Sequence, residues 1–154
     1  MSAPAPARLR DMAARLDSVS YPFTRRHPLR YGDMDSYRHL NNVATARLLE
    51  DGRAQVNMEI FGVEALTNPP PDMQLLFGQI SIEYVRQAYF PGDVDVATGI
   101  IAIGTTSFAY AQAAFQNGAC FALSQSVMVI ASRDRPRPIT EAERTAMQPF
   151  LMRA

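Results

Sequence analysis

Val43 to Ile60 is the one long stretch of helical periodicity in the chain, and the segments after it alternate with the period of a strand. Val43, Ala46, Leu49, Val56 and Ile60 recur at steps of three, four and seven, which predicts an apolar stripe interrupted by Arg53. Asn41 or Asn42 supplies the N-cap and Gly62 the terminator. Arg47 and Asp51 are spaced for an (i, i+4) pair on the outer side. Thr67 to Asp72 is a loop with three consecutive prolines. Beyond it, Ile80, Ile82 and Tyr84 alternate with Ser81, Glu83 and Val85; Pro91-Gly92 is a turn, and Val94, Val96, Ile100 and Ile101 belong to the next strand. From Ser107 to Phe115, Phe108 and Tyr110 face one way and Ala109, Ala111 and Ala113 the other. Such a row of alanines calls for a bulky element, such as a helix, close against it. Asn117-Gly118 accepts the positive φ angles of a two-residue hairpin leading to a last strand, Cys120 to Ala131. Thr140 and Glu143 make a capping box for a short final helix.

Phe23 to Tyr31 reads as an edge or first strand because of Pro28. Residues 1–20 read as an N-terminal extension, with a frayed tail (Ser2 to Ala7) and a short amphipathic helix (Arg8 to Leu16); residues 21–154 read as a single domain. A strand, one long helix, four strands in antiparallel meander and a short helix indicate an α+β fold, with one antiparallel sheet carrying the helix on one face. One helix leaves the sheet rims exposed, which favours dimerisation.

Composition narrows the chemistry. All 15 basic residues are Arg, so Schiff-base chemistry, pyridoxal-phosphate anchoring and a P-loop lysine are excluded. A formal net charge of zero argues against a nucleic-acid partner. The one cysteine, Cys120, sits in an apolar run and reads as a buried inert thiol; no cysteine-rich metal site can be built. No apolar run approaches the ~18 residues of a membrane span, so no membrane partner is expected. The N-terminal residues lack the apolar middle of a secretion signal, and Asp11 and Asp17 argue against a transit peptide; a cytoplasmic location is the expectation.

Asp33, Asp35, His39, Asn41 and Asn42 fall within ten residues immediately before the long helix. The first turn of a helix presents unpaired N–H groups and a positive dipole end, which can hold a developing oxyanion. A carboxylate just upstream can attack a carbonyl or activate water. The same residues also fit a plainer role: Asp33 and Ser36 making turns, Asn41 capping the helix, and His39 satisfying a local hydrogen bond.

The segment Tyr31 to Arg53 resembles the signature of the hotdog-fold acyl-CoA thioesterases of the 4-hydroxybenzoyl-CoA thioesterase type. It does so through Asp33-Met34-Asp35, His39-Leu40-Asn41-Asn42 and Glu50-Asp51-Gly52-Arg53. The resemblance covers about Pro22 to Pro138. It implies a hotdog fold, a five-stranded antiparallel sheet wrapped around one long central helix. It also implies hydrolysis of an acyl-CoA thioester to the free acid and CoA, without metal or cofactor, by a homodimer or homotetramer. Asp35 then takes the place of the catalytic nucleophile or general base, and the backbone N–H of Asn42 that of the oxyanion donor. His39 orients water or polarises the carboxylate, and Asn41 lies beside the substrate. Arg86, and the cluster Arg133, Arg135 and Arg137, are candidates for the CoA phosphates. A separate branch uses a Glu on the central helix, which makes Glu50 the second-choice catalytic residue; its other reading is a surface ion pair with Arg53. Arg38 stands where many relatives have Gly, so the turn is expected to differ there. Tyr37 replaces the Asn of related acyl-carrier-protein thioesterases. Two other functions fit the resemblance. One is a non-catalytic acyl-ligand-binding module. The other is a hotdog dehydratase, which needs a second histidine near the carboxylate; the only other one is His27.

Overall fold

The computed structural model describes residues 7–153; the tail expected at Ser2 to Ala7 lies almost wholly outside them. The central helix, α2 (Asn42–Phe61), follows Asn41, whose side chain accepts the Val43 N–H at 2.7 Å. It ends at Gly62, where φ is +86° and the N–H bonds the Met58 carbonyl. Asn41 is thus the cap. Asn41→Ala is expected to cost about 1 kcal/mol, read as a lower denaturant midpoint.

The sheet comprises β1 (Phe23–Pro28), β2 (Gln74–Tyr84), β3 (Asp93–Ile103), β4 (Ser107–Gln116) and β5 (Ala119–Ser132), in the order β1-β3-β4-β5-β2 with all neighbours antiparallel. A two-residue strand, β6 (Arg135–Pro136), adds to β5. The first strand stops at Pro28; Tyr31–Asp33 is a 3-10 turn instead. The four later strands are not a simple meander. β3, β4 and β5 are joined by hairpins, but β2 pairs β5 at the far edge. Residues 85–92 carry the chain back across the sheet, held by Leu40 N–H to the Ala88 carbonyl and Leu29 N–H to the Gly92 carbonyl, both 2.9 Å. Those bonds tie the crossing to the loop before α2, where a hairpin would have left its backbone unpaired.

The sheet curls around α2, and the buried helix face is not the expected stripe. Val43 is 74% exposed, while Ala44, Thr45, Leu48, Leu49, Gly52, Arg53, Val56 and Asn57 are buried. A curled sheet wraps more of the helix than a flat one, so small and polar residues share the contact. Gly52 marks the closest approach: a Cβ there would lie 2.8 Å from Val96 Cγ1 and 2.9 Å from Gln112 Nε2. Gly52→Ala gains helix propensity but overpacks this contact. A net loss of roughly 1 kcal/mol is expected in a denaturant melt.

The alanine row faces away from α2. Ala111 and Ala113 are fully buried beneath the N-terminal segment, in a cluster with Tyr21, Ala97, Phe115 and Leu123 against which Leu9 packs. The helix that lies against them is α1 (Ala13–Leu16), which contacts β4 and β5. The single helix expected over Arg8 to Leu16 is instead a 3-10 turn (Leu9–Asp11) and this short α1, separated at Met12 in extended conformation. Glu83 on β2 imposes that shape by accepting the N–H groups of Leu9 and Arg10.

Candidate active site

The loop before α2 is built as a small hairpin. Met34 bridges Leu40, Asp35 N–H bonds the His39 carbonyl at 2.9 Å, and Asn41 N–H bonds the Asp33 carbonyl at 2.8 Å. The turn closes with Arg38 at φ +63°. Arg38 thus adopts the left-handed conformation that Gly takes freely, at a cost of about 1 kcal/mol, offset by the pairing on either side.

The two aspartates have different surroundings. Asp33 is 4% exposed; its carboxylate accepts the Arg30 N–H at 2.8 Å, an Arg30 guanidinium N–H at 3.1 Å, and a close bond from Arg47. Burial alone pushes its pKa up, but these three donors outweigh it and hold the carboxyl below the ordinary range. Arg47 therefore pairs with Asp33 across the loop–helix junction and not with Asp51. Asp33 makes the expected turn, closing Tyr31–Asp33 on the Arg30 N–H, and is also a structural anion that binds the two guanidinium groups.

Asp35 is half-buried. Its Oδ1 accepts the N–H groups of Tyr37 at 2.9 Å and His39 at 3.1 Å, while Oδ2 has no donor among the described residues. It lines a depression of about 360 Å³ with Tyr31, Met34, Arg38 and Phe90. One oxygen is fixed by the turn and the other has no donor of its own among the described residues. The stitched loop sets this carboxylate at the same end of α2 as Asn42, whose N–H opens the helix and has no backbone acceptor among the described residues.

His39 is half-buried, and its ring stands edge-on to Tyr89, with centroids 5.6 Å apart. Its link to Asp35 runs through the backbone and not the imidazole. Asn41 is committed to its capping role. Tyr84, at the end of β2, donates its hydroxyl to the Asn42 carbonyl at 3.3 Å, which brings the sheet edge to the helix start. Sequence reasoning did not single out Tyr84; its alternation with Ile80 and Ile82 put the three on one face of the strand and no more. Tyr31 and Phe90 form an exposed edge-to-face pair beside Asp35.

Glu50 is not brought to this depression. It is exposed and lines a separate cavity of about 450 Å³ between α2 and β2, together with Arg53, Asn57 and Phe77. The ion pair expected between Glu50 and Arg53 is absent from those formed among the described residues. Arg53 is buried, donates to Gln112 Oε1 at 2.8 Å and lies 4.9 Å from the Phe77 ring centre. Arg86 is exposed at the head of the crossing segment. Arg137 is occupied by both oxygens of Glu143 and by the Asp72 carbonyl, so it is not free for phosphate. His27 lines another depression, with Asp33, Arg47 and Asp51, that shares no lining residue with that of Asp35. Cys120 is buried, and burial pushes its thiol up to about 11, which leaves it protonated and inert at neutral pH.

Residues 29–154 match the family model described as the thioesterase-like superfamily. None of the curated proteins compared matches the chain. Among solved structures, a predicted thioesterase from Bacillus stearothermophilus is 28% identical, with a TM-score of 0.77 over 86% of this chain and 98% of its own. A Thermus thermophilus thioesterase complexed with coenzyme A and Zn is 22% identical, with a TM-score of 0.75 over 85% of this chain and 95% of its own. A 1,4-dihydroxy-2-naphthoyl-CoA thioesterase from Synechocystis is 15% identical, with a TM-score of 0.73 over 82% and 95%. The last two likenesses carry the fold, a curled antiparallel sheet around a long central helix; the family match carries the kinship, and the chain belongs to the thioesterase-like superfamily.

Proposed function

We propose that this protein is an acyl-CoA thioesterase of the 4-hydroxybenzoyl-CoA type, acting in the cytoplasm and releasing a free acid and CoA. The observation that carries the reading is the state of Asp35, with one oxygen held by two N–H groups and the other unengaged, on the loop leading into a helix start whose N–H has no acceptor among the described residues. Asp35 Oδ2 either attacks the thioester carbon, giving an acyl anhydride that water then opens, or takes a proton from the attacking water. In both cases the carbonyl oxygen gathers negative charge, which the Asn42 N–H and the helix dipole stabilise, and the thiolate of CoA leaves. In this reading His39 and Tyr89 flank the approach, and the exposed Arg86 is the candidate partner of a CoA phosphate.

The working unit in this reading is a dimer. β2 is an edge strand of eleven residues whose Leu76, Phe77, Ile80 and Tyr84 are exposed, a combination that solitary proteins avoid. Antiparallel pairing of β2 with its copy, about a two-fold axis between Ile80 and Ser81, sets Phe77 of the partner subunit close to Tyr84, and hence to Asn42. A lysine placed at the middle of that edge, Ile80→Lys, is expected to give a monomer by sedimentation and at least about tenfold lower kcat/KM, because the cleft loses one wall.

A panel of acyl-CoAs mixed with a thiol reagent tests the activity. CoA release that depends on Asp35 supports the enzyme; saturable binding without release makes the protein an acyl-ligand-binding module. The dehydratase reading is disfavoured because His27 and Asp35 line different depressions.

A further inference from the structure

The cavity between α2 and β2 contains an anomaly. Arg53 is 6% exposed and forms no ion pair among the described residues. A guanidinium stays charged at any physiological pH, and buried charges are ordinarily paired. Among the described residues its one hydrogen bond is to the neutral Gln112 and its ring contact is with Phe77, while Glu50 attracts it from beyond ion-pair distance. The bond and the ring contact fix the guanidinium in place. Gln112 is itself locked, its amide nitrogen donating to the Leu49 carbonyl at 2.8 Å and to Thr98 Oγ1 at 3.0 Å. The cation is therefore held in place, with no carboxylate within ion-pair distance among the described residues, on the wall of a cavity of about 450 Å³ whose other walls include Ala54, Leu66, Leu75 and Met128 beside the polar Asn57 and Gln74. That is the form of a ligand site: mostly apolar walls and one fixed charge. Its only acidic lining residue is Glu50, which is exposed, so water screens its repulsion of an incoming anion more than it screens the attraction of buried Arg53.

We propose that this cavity receives the far end of the acyl group and that Arg53 selects acyl chains ending in a carboxylate. The inference rests on the thioesterase reading and its dimer, in which the cavity of one protomer lies beside the Asn42 helix start of the other. A thioester held at Asp35 and Asn42 then points its acyl chain along β2 toward the guanidinium. The apolar walls take the methylenes, and the terminal carboxylate supplies the counter-charge that Arg53 lacks, its oxygens accepting N–H groups of the planar fork.

The test is CoA release by the wild-type protein from ω-carboxyacyl-CoAs of four, six and eight carbons, each compared with the unsubstituted acyl-CoA and the ω-methyl ester of the same length. At the best length, kcat/KM for the carboxylate is expected to exceed that of both neutral partners at least about tenfold. Arg53→Gln is expected to bring that ratio to about one, Arg53→Lys to restore part of it, and Glu50→Gln to raise it. Hydrolysis of the neutral substrates with no preference for the carboxylate overturns the inference and leaves the thioesterase standing. A preference that survives in Arg53→Gln overturns the role of Arg53. Hydrolysis of no thioester overturns the parent reading. Calorimetric binding of adipate against hexanoate by the wild-type protein then decides the site alone: preferential adipate binding supports it, and equal or absent binding ends it.

Discussion

Asp35→Asn is expected to lower kcat by about 10²- to 10⁴-fold, the range typical of removing a positioned carboxylate base, with the denaturation midpoint nearly unchanged. Asparagine keeps an oxygen at the Oδ1 position, so the turn bonds from Tyr37 and His39 persist. What it removes is the charge and the basicity of Oδ2. If Asp35 acts only after the substrate is bound, KM moves little and the loss falls on kcat. Mixing the variant with the best acyl-CoA of the panel and following CoA release at saturating substrate checks this. Full turnover would sink the assignment. The reverse pattern, with Asp35→Asn active and Glu50→Gln inactive, would transfer the role to the carboxylate on the helix.

The neighbour two residues earlier is expected to do the opposite. Asp33→Ala removes a buried acceptor of three donors that ties the loop to α2 through Arg47. The arginine side chains are well exposed, 68% for Arg30 and 47% for Arg47, so solvent screens much of the attraction. A loss of about 2 kcal/mol remains, most of it from emptying a buried acceptor at a packed junction and leaving the Arg30 N–H without its partner. The pH profile gives the sign. The folded-state pKa of Asp33 lies below that of the unfolded chain, about 3.9 for an aspartate. The stabilisation is therefore complete above the unfolded value and disappears as pH falls below it toward the folded value, where the unfolded chain binds more protons. Chemical melts from pH 7 down to 3 are expected to show the wild type losing midpoint faster than Asp33→Ala below about pH 4. Some slope will persist in the variant. Asp95, bonded to Arg26, and Glu83 and Glu143, where arginine and N–H donors outweigh the upward push of burial, are depressed in the same direction.

These paired expectations mark where local pattern stops. Asp33 and Asp35 differ by one intervening Met, and nothing in residue type or spacing says which is a structural anion. The difference comes from Arg47, fourteen positions along the chain, which turns inward only when α2 docks on the loop. Arg53 is the same case at longer range. Its helical spacing pointed to Glu50, but the guanidinium found Gln112, fifty-nine positions away, because the curled sheet covers that side of the helix and leaves Glu50 in water.

What the amino-acid order by itself determined is everything governed by near neighbours. That includes a cap at Asn41 or Asn42, which the structure assigns to Asn41, the stop at Gly62, the Asn117-Gly118 hairpin, the Thr140–Glu143 capping box and the D-x-D loop preceding one long helix. Each arises from backbone groups a few residues apart, whose partners are set by covalent geometry. Only the tertiary structure decided that β2 crosses to the far edge, that the N-terminal segment and not α2 covers Ala111 and Ala113, and that Tyr84 meets Asn42. Those contacts join segments separated by many residues. Side-chain identity permits several pairings there, and the choice falls to whichever packing buries the apolar faces with their polar groups satisfied.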